Sequence, residues 1–162
     1  MHGETNWLIR PARAEDVETV AELKAVVMRD DLVRLGRYDD HRVRQRLRDD
    51  FRLAHTSVIE VAGAFAGCVA FGPYEHGPGR YLEHFYLAPE AQGQGLGTAV
   101  LRALLDRADA EGVPVRLTVV QGSAARRLYE RAGFRLESED PIDVRMVREP
   151  ELGSSRRPAG GS

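Results

Sequence analysis

Lysine is almost missing from this sequence: Lys24 stands alone, and every other basic residue is arginine or histidine. Such a bias follows from GC-rich coding as readily as from a need for forked guanidinium donors, so it assigns no function. Cysteine is equally scarce. The single thiol, Cys68, excludes an internal disulfide and a cysteine-based zinc cage. Its place in the apolar run Cys68-Val69-Ala70-Phe71 is that of a small buried hydrophobe, with nothing nearby in sequence to stabilise a thiolate. No apolar run approaches the ~18 residues of a membrane span. The opening Met1-His2-Gly3-Glu4-Thr5-Asn6 lacks the charged-then-apolar pattern of a secretion signal. A large charge of either sign is missing too. The 23 lysine and arginine residues against 25 acidic ones leave −2, which argues against nucleic acid or a membrane surface as partner. These absences predict a soluble, cytoplasmic protein without a metal.

What is present is ordinary globular usage: 162 residues, 43% hydrophobic and 30% charged, enough for one domain with a sizeable core. Trp7-Leu8-Ile9-Arg10 reads as a strand stopped by Pro11. Val17, Val20, Ala21, Leu23 and Val27 recur at helical spacing between about Glu15 and Val33. Val43, Leu47 and Phe51 form a thin stripe on a second, heavily charged helix that Asp39 or Asp40 would cap. Two β-type runs, 57–61 and 67–71, are joined through Gly63-Ala64-Phe65-Ala66 as a hairpin. After a turn at Gly77-Pro78-Gly79, Tyr81 to Leu87 is the next strand. Leu96, Val100, Leu101, Leu104, Leu105 and Ala108 mark a strong amphipathic helix closed by Gly112. Val115 to Val120 is a strand and Ser123 to Ala132 a helix; Phe134 to Leu136 and Ile142 to Val147 are closing strands. Residues 1–148 are expected to form the working domain, and 149–162 a disordered tail with nothing to bury. The fold class is mixed α/β. The strand–helix–strand crossover through 96–111 requires at least one parallel pair with a right-handed connection.

The informative stretch is Gln92-Gly93-Gln94-Gly95-Leu96-Gly97-Thr98, where a strand turns into the strong helix. Glycines there let the backbone approach a ligand and take positive φ. The first helical N–H groups lack intrahelical acceptors, and the helix dipole adds positive charge. Together these make a pyrophosphate cradle. A dinucleotide fingerprint needs glycine where Thr98 stands, and a P-loop needs a lysine that is not there, so both are excluded.

Gln92-x-x-Gly95-x-Gly97, after a strand ending in Leu87-Ala88-Pro89, resembles the acyl-CoA pyrophosphate motif of the GNAT (N-acetyltransferase) superfamily. Ala125-Arg126-Arg127-Leu128-Tyr129-Glu130-Arg131-Ala132-Gly133-Phe134 is similar to that family's second signature, and Ile9-Arg10-Pro11-Ala12 to a common first strand. One departure stands out: Gly122 occupies a place where asparagine is common.

The resemblance implies a mostly antiparallel twisted sheet flanked by helices, with a central splayed parallel pair. It further implies direct transfer of acetyl from acetyl-CoA to a primary amine of a small molecule, amino acid or peptide terminus, in a ternary complex. The implied CoA-binding set is Phe85, Tyr86 and Leu87 on the strand, Gln92, Gly93, Gln94, Gly95, Gly97 and Thr98 at the helix start, and Ser123 and Arg126 beyond. Tyr129 aligns with a proton donor to the CoA thiolate. Glu83 and His84 are candidate bases. On a regular strand Tyr81, Glu83, Phe85 and Leu87 would share one face and His84 and Tyr86 the other, and a bulge would change that. The acceptor is expected between the first two helices, near Arg34 and Tyr38, with Glu83. Asp140 and Asp143 read either as an ammonium anchor or as a capped turn around Pro141. A non-catalytic acyl-CoA sensor and a protein-modifying acetyltransferase stand as alternatives, and a homodimer is left open.

Overall fold

The computed structural model describes residues 6–151. Its strands are β1 (Trp7–Pro11), β2 (Thr56–Val61), β3 (Ala64–Pro73), β4 (Arg80–Leu87), β5 (Val115–Val120), β6 (Arg135–Glu139) and β7 (Asp143–Arg148). Its helices are α1 (Val17–Arg34), α2 (Asp40–Asp50), α3 (Leu96–Glu111) and α4 (Ala125–Arg131). The strands join into one sheet in the order β1-β2-β3-β4-β5-β7-β6, antiparallel everywhere except between β4 and β5. This is the mixed, mostly antiparallel architecture that the element order and the resemblance imply. No helix among the described residues is long and apolar enough to cross a membrane.

Each face of the sheet is covered by a different pair of helices. α3 buries Val100, Leu101, Leu104, Leu105 and Ala108 against Val69, Phe71, Leu82, Val115, Leu117, Val144 and Met146, and Tyr129 of α4 joins this core. Gly112, at φ 71°, closes α3 in the left-handed conformation, as its sequence position predicts. On the other face α1 sets Val20, Ala21 and Leu23 against Cys68, with Tyr86 packed alongside and Leu47 of α2 completing the cluster. Asp39, not Asp40, caps α2, accepting from the N–H groups of His41 and Arg42 at 3.1 and 2.8 Å. Arg44 and Arg48 fork onto Glu22 and Glu18 and lash α2 to α1.

Two local expectations are corrected. The β2–β3 turn is Ala62-Gly63, both with positive φ, and Ala64 already belongs to β3. A two-residue turn with both positions left-handed matches the twist of its strands, so the four-residue loop is not needed. At the other end the chain stays attached beyond 148. Buried Arg148 pairs with Asp109 at 2.8 and 3.1 Å, Asp109 accepts from the Glu151 N–H, and Arg135 reaches Glu149. The remainder of the expected tail, 152–162, lies outside the described residues.

The feature that shapes the site is in β4. Cys68 pairs with Tyr86 and Ala70 with Glu83, so one β3 residue, Val69, faces two on β4. The extra residue is His84, at φ 49° without being glycine. β4 pairs with β5 only at Arg80↔Val115 and Tyr81↔Arg116, whereas β5 pairs with β7 along its whole length. β4 and β5 therefore splay. Gly67 sits under this segment, and a Cβ there would collide with the Tyr86 carbonyl oxygen. Gly67→Ala is expected to lower stability by about 1–3 kcal/mol in denaturant unfolding, because backbone must move to admit the methyl.

Candidate functional site

The splay frees main-chain groups. The Ala88 N–H goes to Ala66 on β3 at 2.8 Å, so by strand alternation Leu87 and Phe85 turn their N–H and C=O toward the β5 side. There the ladder has ended. Gln92 donates its side-chain amide to the Leu87 carbonyl at 3.0 Å, leaving the N–H donors of Phe85 and Leu87 aimed into the gap. Both side chains pack into the α3 core.

At the edge of that gap α3 begins. Gly93 and Gly95 stand at φ 75° and 83°, and a Cβ at either would meet nothing within 4 Å. Conformation, not crowding, calls for glycine at both. The first intrahelical bond runs from Ala99 N–H to the Gly95 carbonyl, and no side chain caps the helix. The N–H groups of Leu96, Gly97 and Thr98 thus point outward at the positive end of a 16-residue helix, an arrangement that fits a pyrophosphate. Gly97 differs: a Cβ there would make ordinary contact with Leu87 and Leu128. Gln94 is spent locally, donating to the Glu90 carbonyl. Ser123 accepts from the Ala125 N–H at the start of α4, and Arg126 pairs with Glu130 one turn on.

The bulge rearranges the rest of β4. The expected sharing of one face by Tyr81, Glu83, Phe85 and Leu87 is corrected: Phe85 and Leu87 lie with Leu82 on the α3 side, while Glu83 lies with His84 and Tyr86 on the α1 side. The left-handed residue absorbs one step of the alternation. His84 Nε2 lies 3.8 Å from Glu83 Oε1, and its Nδ1 is 3.3 Å from the Tyr86 hydroxyl. Burial first and Lys24 second push His84 down to about 4, so it is neutral at neutral pH. Burial and the Asp50 carboxylate push Glu83 up. Cys68 donates its thiol to the His84 carbonyl at 3.2 Å, and burial pushes that thiol up to about 12.

Glu83 also lines a cavity of about 360 Å³ on the sheet face that α1 and α2 leave open over β4, β5 and β7. Tyr81 shares a 2.8 Å hydrogen bond with Thr118, and Tyr74 stacks on Tyr81 with the Arg116 guanidinium above it at 5.0 Å. Arg116 in turn forks onto Glu137. Sequence reading missed these residues. The signal was polar alternation, Arg116 and Thr118 about Leu117 and Arg145 between Val144 and Met146, in central strands whose other face is core.

Arg34 and Tyr38, expected near the acceptor, do not line that cavity. Arg34 is held by Asp31 and the Gln121 carbonyl, and it fills the room beside Gly122, where a Cβ would meet its guanidinium at 2.7 Å. Tyr38 donates to Asp40 and lies under the Arg29 guanidinium. Asp140 accepts from the N–H groups of Ile142 and Asp143, so the pair forms a capped turn. Tyr129 is buried edge-on against Phe134; its hydroxyl has no hydrogen-bond partner among the described residues, and burial raises its pKa. Among the described residues no cluster of metal-ligating side chains occurs.

Comparison with known proteins agrees with this fold. The model of the acetyltransferase (GNAT) family matches residues 20–134. The L-methionine sulfoximine/L-methionine sulfone acetyltransferases of Pseudomonas aeruginosa and Pseudomonas paraeruginosa are 32% identical over 87 residues, 51% of this chain and 51% of theirs. The chain thus spans about half the length of the curated relatives it matches. PaiA N-acetyltransferase from Thermoplasma acidophilum, solved with coenzyme A, superposes with a TM-score of 0.70 at 19% identity, covering 88% of this chain and 98% of that one. N-acetylglutamate synthase from Neisseria gonorrhoeae, solved with coenzyme A and L-arginine, gives 0.61 at 20% identity over 91% of this chain and 34% of that one.

Gly95→Val tests the cradle. A β-branched residue at φ 83° is strained, and CoA affinity measured by calorimetry is expected to fall about tenfold or more; unaltered affinity would remove the cradle.

Proposed function

The chain belongs to the GNAT acetyltransferase family, and we propose that it moves acetyl from acetyl-CoA directly onto the primary amine of a small, amino-acid-like acceptor bound in the Glu83 cavity. One observation carries the reading. The splayed part of β4 has the glycine cradle at its end and the Phe85 and Leu87 donors facing the gap, while Glu83 opens on the cavity. The acetyltransferase activity of the curated relatives on amino-acid analogues supports the acceptor class.

The reaction makes three demands, and each finds a group. The acceptor must lose a proton to become nucleophilic. Glu83, raised above the usual carboxylate range, takes it better than an exposed glutamate. His84 is the weaker candidate, since it is held near 4 and its Nδ1 faces Tyr86. Negative charge developing on the thioester oxygen is met by the freed N–H donors of β4. The thiolate that departs faces Tyr129. A phenol raised above ~10 is a weaker acid than a thiol at ~8.5. Tyr129 therefore helps by hydrogen-bonding the departing sulfur, not by a completed proton transfer. Direct transfer is supported by Cys68, whose thiol is buried, raised and bonded to a backbone carbonyl, and so is no acyl carrier.

Thiol release from acetyl-CoA, read against a panel of amines beginning with L-methionine sulfone, tests the assignment. Tyr129→Phe is expected to lower kcat about 100-fold with little change in the KM for acetyl-CoA; full activity would end its role. Wild-type kcat/KM is expected to fall as pH drops through the raised pKa of Glu83, because only the carboxylate accepts a proton. The acidic limb therefore lies above the ~4.3 of an ordinary glutamate. In Glu83→Gln that limb is expected to disappear along with most of the rate.

A further inference from the structure

The charges lining the cavity over β4, β5 and β7 do not all cancel in pairs. Its carboxylates are Glu75, Glu83 and Glu137, and its guanidiniums are Arg52, Arg116 and Arg145. Arg52 pairs with Glu75 at 2.6 Å, and Arg116 forks onto Glu137 with two bonds of 3.0 Å. One acid and one cation are left over. Glu83 makes no hydrogen bond among the described residues, and the ring beside it, His84 at 3.8 Å, is neutral at neutral pH. Arg145 gives Nε to Ser138 at 2.7 Å and Nη1 to Asp140 at 3.3 Å, while its Nη2 has no partner among the described residues. Asp140 does not line the cavity, and its other oxygen already accepts two backbone N–H groups. The two leftover groups form no ion pair with each other. β5 stands between β4 and β7, so two strand spacings of ~4.8 Å separate their backbones, and the splay of β4 adds to that.

Thr118 stands beside the cationic pole. It is the cross-strand partner of Arg145 on β5, so both side chains rise from the same face of the sheet. Its hydroxyl shares the 2.8 Å bond with Tyr81; with the phenol donating, the Thr118 proton is free to go to an anion.

We propose that Arg145 and Thr118 bind a carboxylate of the acceptor, so that the cavity selects a zwitterion: an amino acid with its amine toward Glu83 and its carboxylate toward β7. The inference rests on the reading of this cavity as the acceptor site. An unspent guanidinium N–H and an adjacent hydroxyl are the donors a carboxylate takes, and such charge-assisted bonds are strong and directional. Holding the acceptor at its anionic end sets the amine on the β4 side, where the freed N–H donors lie. An amine without the carboxylate keeps only the Glu83 end and is poorly held.

The acceptors are compared in pairs, each L-amino acid of the panel against its decarboxylated amine. The first pair is L-methionine sulfone and the methylsulfonyl propylamine left when its carboxylate is removed. Wild type is expected to prefer the amino acid by about 10-fold to 100-fold in kcat/KM, as a charged hydrogen bond provides. In Arg145→Gln that preference is expected to fall to within about threefold, through the KM for the amino acid and not through kcat. Arg145→Lys recovers part of it. Thr118→Val keeps the side-chain shape and is expected to lose about three- to tenfold of the preference, which reads the site even where Arg145→Gln fails to fold. A wild type that acetylates both members of each pair equally well overturns the proposal. So does an Arg145→Gln variant in which both members lose KM alike, since that is a structural effect. The underlying reading fails differently: no thiol release with any amine of either kind discards acetyl transfer itself.

Discussion

A single inserted residue in β4 is the constraint on which the site depends. His84 takes a left-handed conformation that costs a side-chain-bearing residue of order 1–3 kcal/mol, so its surroundings must hold it there. Three of them can be named. Cys68 donates to its carbonyl, Gly67 leaves space for the Tyr86 carbonyl two residues on, and the ring is buried beside Tyr86. Without the bulge, a strand regular through His84 would turn Glu83 with Phe85 into the α3 core, where a carboxylate has no partner. With it, the same strand presents apolar side chains to one layer and titratable ones to the other.

The two layers divide the chemistry. α3 and α4 bring the glycine cradle and Tyr129 from one side, while the opposite face stays open where α1 and α2 stop short. β5 contributes by leaving β4: its full-length pairing with β7 draws it away and frees the donors of Phe85 and Leu87. The glycine turn, the free amides and the place of Glu83 at the cavity are thus consequences of how one strand is paired on each edge.

Most of the fold was legible because periodicity and punctuation are local. The α3 stripe with Gly112, the α2 stripe with an aspartate before it, and the apolar runs of β3 and β5 each announce their element. The glycine-rich turn into α3 was legible for the same reason, since its glycines alternate within one short stretch. The bulge was not: histidine gives no sign that it will take positive φ, so the alternation placed Glu83 on the wrong face. The cavity wall was hidden too, because Tyr74, Arg116 and Glu137 meet only through strand register. The contacts of Arg34 were hidden for a similar reason. Its partner Gln121 is 87 residues away, and only the bare backbone of Gly122 makes room for it.

The near-absence of lysine acquires a chemical meaning beside a thioester. Guanidinium groups stay protonated throughout the neutral range and do not attack activated acyl groups, whereas an exposed lysine amine does. In this chain the only lysine is half-buried on α1, so its outer surface carries its positive charge almost entirely in non-nucleophilic form. A protein built this way can be bathed in a reactive acyl donor and remain chemically unmarked on its surface side chains.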